Sequence, residues 1–232
     1  MCKEFGFMKK FFNRYKIFLT TFFVISVIIL FLFYDALNID KKLPIYHPAM
    51  VNYELVDNSI QHVKKYHKIA PFSLINQNGK IITEKVYQNK IYVADFFFTT
   101  CPSICPKMTE NMGLIQEAFR DDNQIQLVSF SVTPKIDSVA QLKKYAIEKG
   151  VLDSKWNLLT GDKKLIYNLA RKSFLAAKND GDGGPHDMIH TENFVLVDPD
   201  KRIRGFYDGT NTLAMETLLL DIKTLQKEYS IP

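Results

Sequence analysis

The 232-residue sequence is short of cysteine, with three in all, and has a single tryptophan; it has no internal repeat and no low-complexity tract. Without repeats there is no solenoid, and 47% hydrophobic content is enough to bury one sizeable core, so one folded domain is expected. Strong charge is also missing from most of the chain. Lys3, Lys9, Lys10, Arg14 and Lys16 against Glu4 put +4 of the net +5 into the first 16 residues, leaving +1 for the rest. A nearly neutral body gives no reason to propose a nucleic-acid partner. The shortage of cysteine excludes an iron–sulfur cluster, because no third and fourth thiolate accompany Cys101 and Cys105.

What is present begins with an 18-residue stretch, Ile17 to Tyr34, that carries no charged side chain. That is near the length needed to cross a bilayer, and it reads as a transmembrane anchor. Basic residues precede it while Asp35 and Asp40 follow, so the positive-inside bias places 1–16 in the cytoplasm and the body outside the cytoplasmic (inner) membrane, in the periplasm. A cleaved signal peptide is the alternative, but the apolar stretch is long for one and Tyr34-Asp35-Ala36-Leu37-Asn38 offers no A-x-A-like site. Cys2 then lies across the membrane from the other two cysteines and is read as incidental.

Residues 35–68 are polar, include Pro44 and Pro48 and show no sustained period, which suits an extended tether. His47, His62 and His67 fall there and are expected to be solvated. From residue 69 to 232 the pattern is that of an α/β domain. Phe72 to Ile75 and Ile81-Ile82 flank a turn and suggest a leading hairpin. Ile91 to Phe98 is a near-continuous apolar run, as expected of a central strand covered on both faces. Met108, Met112, Ile115 and Phe119 recur at helical spacing and are expected to be core residues. Strand Ile125 to Val132, helix Val139 to Glu148, strand Trp156 to Leu159 and helix Lys164 to Ala177 follow. Phe194 to Val197 and Arg202 to Tyr207 form a second hairpin, and a helix carrying Leu213, Leu218, Leu219, Ile222 and Leu225 closes the chain. This order, a central mixed sheet flanked by helices, is thioredoxin-like.

Cys101 and Cys105 stand four residues apart at a strand-to-helix junction, where free amide hydrogens and the helix dipole favour thiolate. Their small loop makes a plain stabilising disulfide a weak reading, although it stays open. Two thiolates with one imidazole would form a soft site suited to Cu(I) rather than to structural zinc. The same pair can also cycle between dithiol and disulfide, so a thiol–disulfide oxidoreductase is the rival reading.

The segment Asp95-Phe-Phe-Phe-Thr-Thr-Cys101-Pro-Ser-Ile-Cys105-Pro106 resembles the signature of the Sco/SenC family of copper chaperones. Ser129 to Pro134, Trp156 to Gly161 and His190 resemble later family blocks in the family's order. The resemblance implies a thioredoxin-like fold that binds one copper ion, Cu(I) and also Cu(II), through Cys101, Cys105 and His190. It implies delivery to the copper-bearing subunit of cytochrome c oxidase, with an upstream copper donor and a thiol reductase as further partners. Two positions depart from the family's habit. Ile189 stands where an Asp commonly precedes the histidine, and Thr133 stands where an Asp commonly precedes the proline. The orienting role toward His190 could then pass to Asp187, to a backbone carbonyl or to nothing, and His186 is the substitute ligand in the Asp/Gly loop.

Overall fold

The computed structural model describes residues 2–37, 42–52, 56, 59–177, 181, 184 and 187–230, with side chains from Arg14 onward outside 35–41. His186 therefore lies outside the described residues, as does the side chain of Cys2. The chain divides into two compact units, Met1–Lys41 and Lys42–Pro232.

The first unit is a single helix, α1 (Cys2–Leu37). Within it Arg14–Tyr34 is long and apolar enough to cross a membrane, with mean hydropathy 2.7 and none of the window buried. The helix starts well before the apolar stretch, so the basic segment is helical as well.

In the second unit seven strands form one sheet in the order β2-β1-β5-β4-β3-β6-β7. The strands are β1 (Ser73–Asn76), β2 (Ile81–Thr83), β3 (Ile91–Phe97), β4 (Ile125–Ser131), β5 (Trp156–Thr160), β6 (Asn193–Val197) and β7 (Ile203–Asp208). β3, β4 and β5 run parallel, while β1 and β2 on one flank and β6 and β7 on the other run antiparallel. All residues of β3, β4 and β5 are buried, because helices cover both faces of the parallel centre.

The helices are α2 (Cys105–Ala118), α3 (Val139–Glu148), α4 (Lys163–Asn168) and α5 (Thr212–Glu228). One core layer joins Ile91, Val93 and Phe97 to Met108, Met112 and Ile115 of α2 and to Leu218, Ile222 and Leu225 of α5. The other joins Tyr92, Ala94 and Phe96 to Ile166, Ala170 and Phe174. Strand alternation explains this division of β3 between the two layers. Both methionines are fully buried, as their helical spacing required.

Two expectations need correction. The helix expected over Lys164 to Ala177 stops at Asn168 and continues as a π-helical turn, Leu169–Ser173. That turn buries Arg171, whose guanidinium forks onto both oxygens of Asp187 at 2.6 and 2.7 Å. The tether expected over 35–68 is also shorter than its composition suggests, since residues from Lys42 on belong to the folded unit. The cause is Arg204, wholly buried, which donates to the carbonyls of Pro44 (3.0 Å) and Leu43 (2.7 Å) and to the carboxylates of Asp198 and Glu228. A buried guanidinium has five donors to satisfy, and the backbone of 43–44 supplies two of the acceptors. Tyr46 then pairs with Ile203, Val56 is buried, and half-buried His67 meets the Ser173 carbonyl at 2.7 Å. Burial holds the His67 pKa below its ordinary value.

Candidate metal and thiol site

Parallel pairing brings the C-terminal ends of β3 and β4 side by side, from Ile91 opposite Ile125 to Phe97 opposite Ser131. In open α/β sheets this end of the strands is where ligands bind. Two loops leave it together, 98–104 and 132–138. Antiparallel β6 pairs Tyr92 with Val197 and Ala94 with Val195, and continuing that register sets Phe98 opposite Thr191. His190 therefore arrives at the cysteine loop from a distant segment of the sequence. Its ring meets Phe98 edge-on, with centroids 5.8 Å apart and an interplanar angle of 79°.

Cys101 and Cys105 are both free and both buried. Cys105 opens α2, and Pro106 fits the first turn because its missing N–H has no partner there in any case. Cys101 precedes the helix in the connecting loop. No side chain caps α2 at Ile104. The Cys101 sulfur stands in that role: burial alone would raise its pKa, but hydrogen bonds from the backbone of Cys105 and Ser103 and from their side chains outweigh it, bringing the thiol down to about 7. The Ser103 hydroxyl is 3.6 Å from the sulfur. Cys105 behaves in the opposite way, pushed up to about 12 by burial first and then by neighbouring Cys101 and Asp95. The two cysteines are thus driven in opposite directions, Cys101 toward thiolate and Cys105 toward thiol.

Asp95 lies below the pair on β3, on the strand face that packs against α2. It is buried, and burial raises its carboxyl to about 7 despite a hydrogen bond from Ser129. Its Oδ1 is without a hydrogen-bond partner. Asp137 organises the loops above. Fully buried, it accepts hydrogen bonds from the hydroxyls of Thr99 and Ser131 at 2.5 Å each, from Thr133 at 2.9 Å, and from the Thr99 amide. Gln141 in turn donates to the Thr99 hydroxyl. Asp137 therefore fixes the approach to Cys101, and Thr133 supplies it with a donor where an Asp could supply none.

The histidine side is built differently. Lys163 donates to the carbonyls of Gly184 and Asp187 at 2.7 Å each, and the Tyr167 hydroxyl to that of Asp187, so the segment is tied at 184 and 187. The Asp187 carboxylate, expected as a possible orienter of His190, is instead gripped by Arg171. Ile189 is buried in the core beside β3, which explains an apolar residue at that position. His190 itself is exposed. It shares with Cys105, Phe96, Phe98 and Ile104 a cleft of about 10 Å³, the room of a single water-sized guest. An ion fits such a space and an organic substrate does not. Among the described residues no three His, Cys, Asp or Glu side chains are already gathered as a metal cluster. His47, His62 and His67 do not join the cysteines either.

Residues 60–227 match the protein-family model described as SCO1/SenC. The chain belongs to the SCO1/SenC family. Among curated relatives, the SCO1 protein homolog of Bacillus subtilis is 33% identical over 160 residues, spanning 68% of this chain and 82% of that protein. The solved structure of BsSco, described as having a disulfide switch and as a member of the Sco family of cytochrome c oxidase assembly proteins, superposes with a TM-score of 0.60 at 31% identity, covering 72% of this chain and 95% of that one. Bradyrhizobium japonicum ScoI, solved with copper bound, gives 0.54 at 26% identity over 68% of this chain and 99% of that one. The thioredoxin-like fold read from the sequence is thus the fold of the SCO1/SenC proteins.

Sequence reading named both cysteines and His190 as candidates and did not single out Asp95, Asp137 or Arg171. Asp95 had a signal, being a charged residue inside an otherwise apolar strand run. Asp137 and Arg171 had none, because Asp137 gathers Ser131, Thr133 and distant Thr99 without a periodic pattern and Arg171 pairs with Asp187 on a separate segment.

Proposed function

We propose that this chain is a membrane-anchored copper chaperone whose reduced domain takes Cu(I) through the Cys101 and Cys105 thiolates and neutral His190. It passes the ion by stepwise ligand exchange to the copper-bearing subunit of cytochrome c oxidase, at its CuA centre. The observation that carries the reading is a pair of free, buried cysteines, Cys101 just before α2 and Cys105 opening it, with Cys105 sharing an ion-sized cleft with His190. Soft thiolates and an imidazole select Cu(I). Cys101 is ionised near neutral pH and offers the first bond, and the positive ion then favours loss of the Cys105 proton. Exposed His190 closes the set last and can leave first, which suits a protein that must release its cargo. In this reading Arg14–Tyr34 spans the cytoplasmic membrane with the domain on the periplasmic side.

The asymmetry of the pair also favours a second reading, thiol–disulfide exchange on a partner protein: low-pKa Cys101 would attack and buried Cys105 would resolve. Copper titration of the reduced full chain against a stringent Cu(I) competitor separates the two. The chaperone reading requires one equivalent of copper on the dithiol and none on the Cys101–Cys105 disulfide. A reduced protein that takes up no copper yet reduces a disulfide substrate would leave only the second.

A further inference from the structure

A second cleft, away from the cysteines, has a volume of about 560 Å³ and lies between segment 45–47 and segment 64–68, with Asp200 and Arg202 at its edge. Its uncompensated charge is cationic. Lys64, Lys65 and Lys68 make no ion pair among the described residues, whereas Asp200, the acidic residue of the lining, is taken up by Arg202, which Asp198 also holds, at 2.9 Å each. Half-buried His47 adds an Nδ1 that is shielded from solvent and without a partner. A cleft of this size with several cations and an unused ring nitrogen is built for a phosphate-bearing anion.

The rim says which anion. Tyr66 is 94% exposed and sits at φ +63°, a conformation that a bulky residue rarely adopts, so the fold holds an aromatic ring outward at a steric cost. Ile45 and Met50 nearby are also about half exposed, at 43% and 52%. Lysines beside an exposed tyrosine and aliphatic side chains are the composition of a surface that meets the headgroup layer of a bilayer.

We propose that this cleft binds the phosphate of an anionic phospholipid headgroup, with Lys64, Lys65 and Lys68 as its cationic donors and Tyr66 entering the interfacial layer. The proposal rests on the membrane-anchor reading and is independent of copper.

The test uses the full chain carrying Tyr66→Trp in nanodiscs of brominated phosphatidylglycerol or brominated phosphatidylcholine, with buried Trp156 as the constant background. Quenching of the new tryptophan should be at least about twofold stronger in the anionic discs and should fall to the zwitterionic level in Lys64→Glu/Lys65→Glu/Lys68→Glu or at raised salt. Equal quenching in both lipids, or none in protein that co-elutes with discs, overturns the headgroup site while leaving the anchor intact. Failure to enter discs at all overturns the anchor and the site together. In neutral detergent micelles, inorganic phosphate that shifts the emission of the introduced tryptophan as strongly as the anionic discs do would assign the cleft to a soluble anion and overturn the lipid.

Discussion

The two halves of the site are made to different standards. The cysteine half is preorganised: Asp137 fastens Thr99, Ser131 and Thr133 to one buried carboxylate, and the backbone amides of Ser103 and Cys105 bond the Cys101 sulfur. The histidine half is fixed at the backbone, with buried Ile189 and Thr191 on either side of His190 and Thr191 bonded to the Ala176 carbonyl, but the His190 side chain itself is exposed. A buried dithiol with a solvent-facing third donor can hold a soft ion and still open to release it. On the proposed reading, thiol chemistry does not depend on the histidine, while retention of the ion does.

The largest effect should come from setting the halves against each other. Cys105→Ser should abolish stoichiometric Cu(I) uptake, whereas His190→Ala should still bind but with affinity reduced by more than the roughly 10–100-fold typical of an outer-sphere partner. Competition titration measures both. Equal losses would mean that the histidine side is as firmly built as the cysteine side.

Asp137→Asn comes next, because an amide cannot accept from all four donors that now converge on the carboxylate. We expect unfolding free energy to fall by about 1–3 kcal/mol, and Cu(I) affinity to fall by about tenfold. Urea denaturation and the same titration would check this, and wild-type affinity in a destabilised variant would remove Asp137 from the site.

The smallest effect is one of pH. Since the Cys101 thiol is brought down to about 7, iodoacetamide should alkylate it with a midpoint near that value, slowing roughly tenfold per pH unit below it and levelling off above. In guanidinium the midpoint should return toward the ordinary value of 9.0. Cys105, pushed up to about 12, should stay unreactive across the same range. His190→Ala should leave this profile unchanged if the halves are independent.

The same contrast describes what could be read before any coordinates. Cys101, Cys105 and the flanking strand and helix were legible because their signals are local: an apolar run, helical spacing of Met108, Met112 and Ile115, and soft donors at the junction. What tunes the site leaves no periodic pattern. Asp137 acts through residues on three elements, Arg171 reaches Asp187 only because a π-helical turn swings it inward, and Arg204 draws in the polar stretch after Lys42 through backbone carbonyls that leave no trace in sequence. Residues 42–68 looked like a tether for that reason. Their contacts with the domain are largely made by main-chain atoms and scattered side chains, without any period.

X-ray absorption at the copper edge of the reduced, Cu(I)-loaded full chain tests the central claim most directly. Two sulfur scatterers and one imidazole nitrogen in the wild type, with the nitrogen alone lost in His190→Ala, is the predicted result. A first shell that His190→Ala leaves unchanged, or one without both sulfurs, would contradict it.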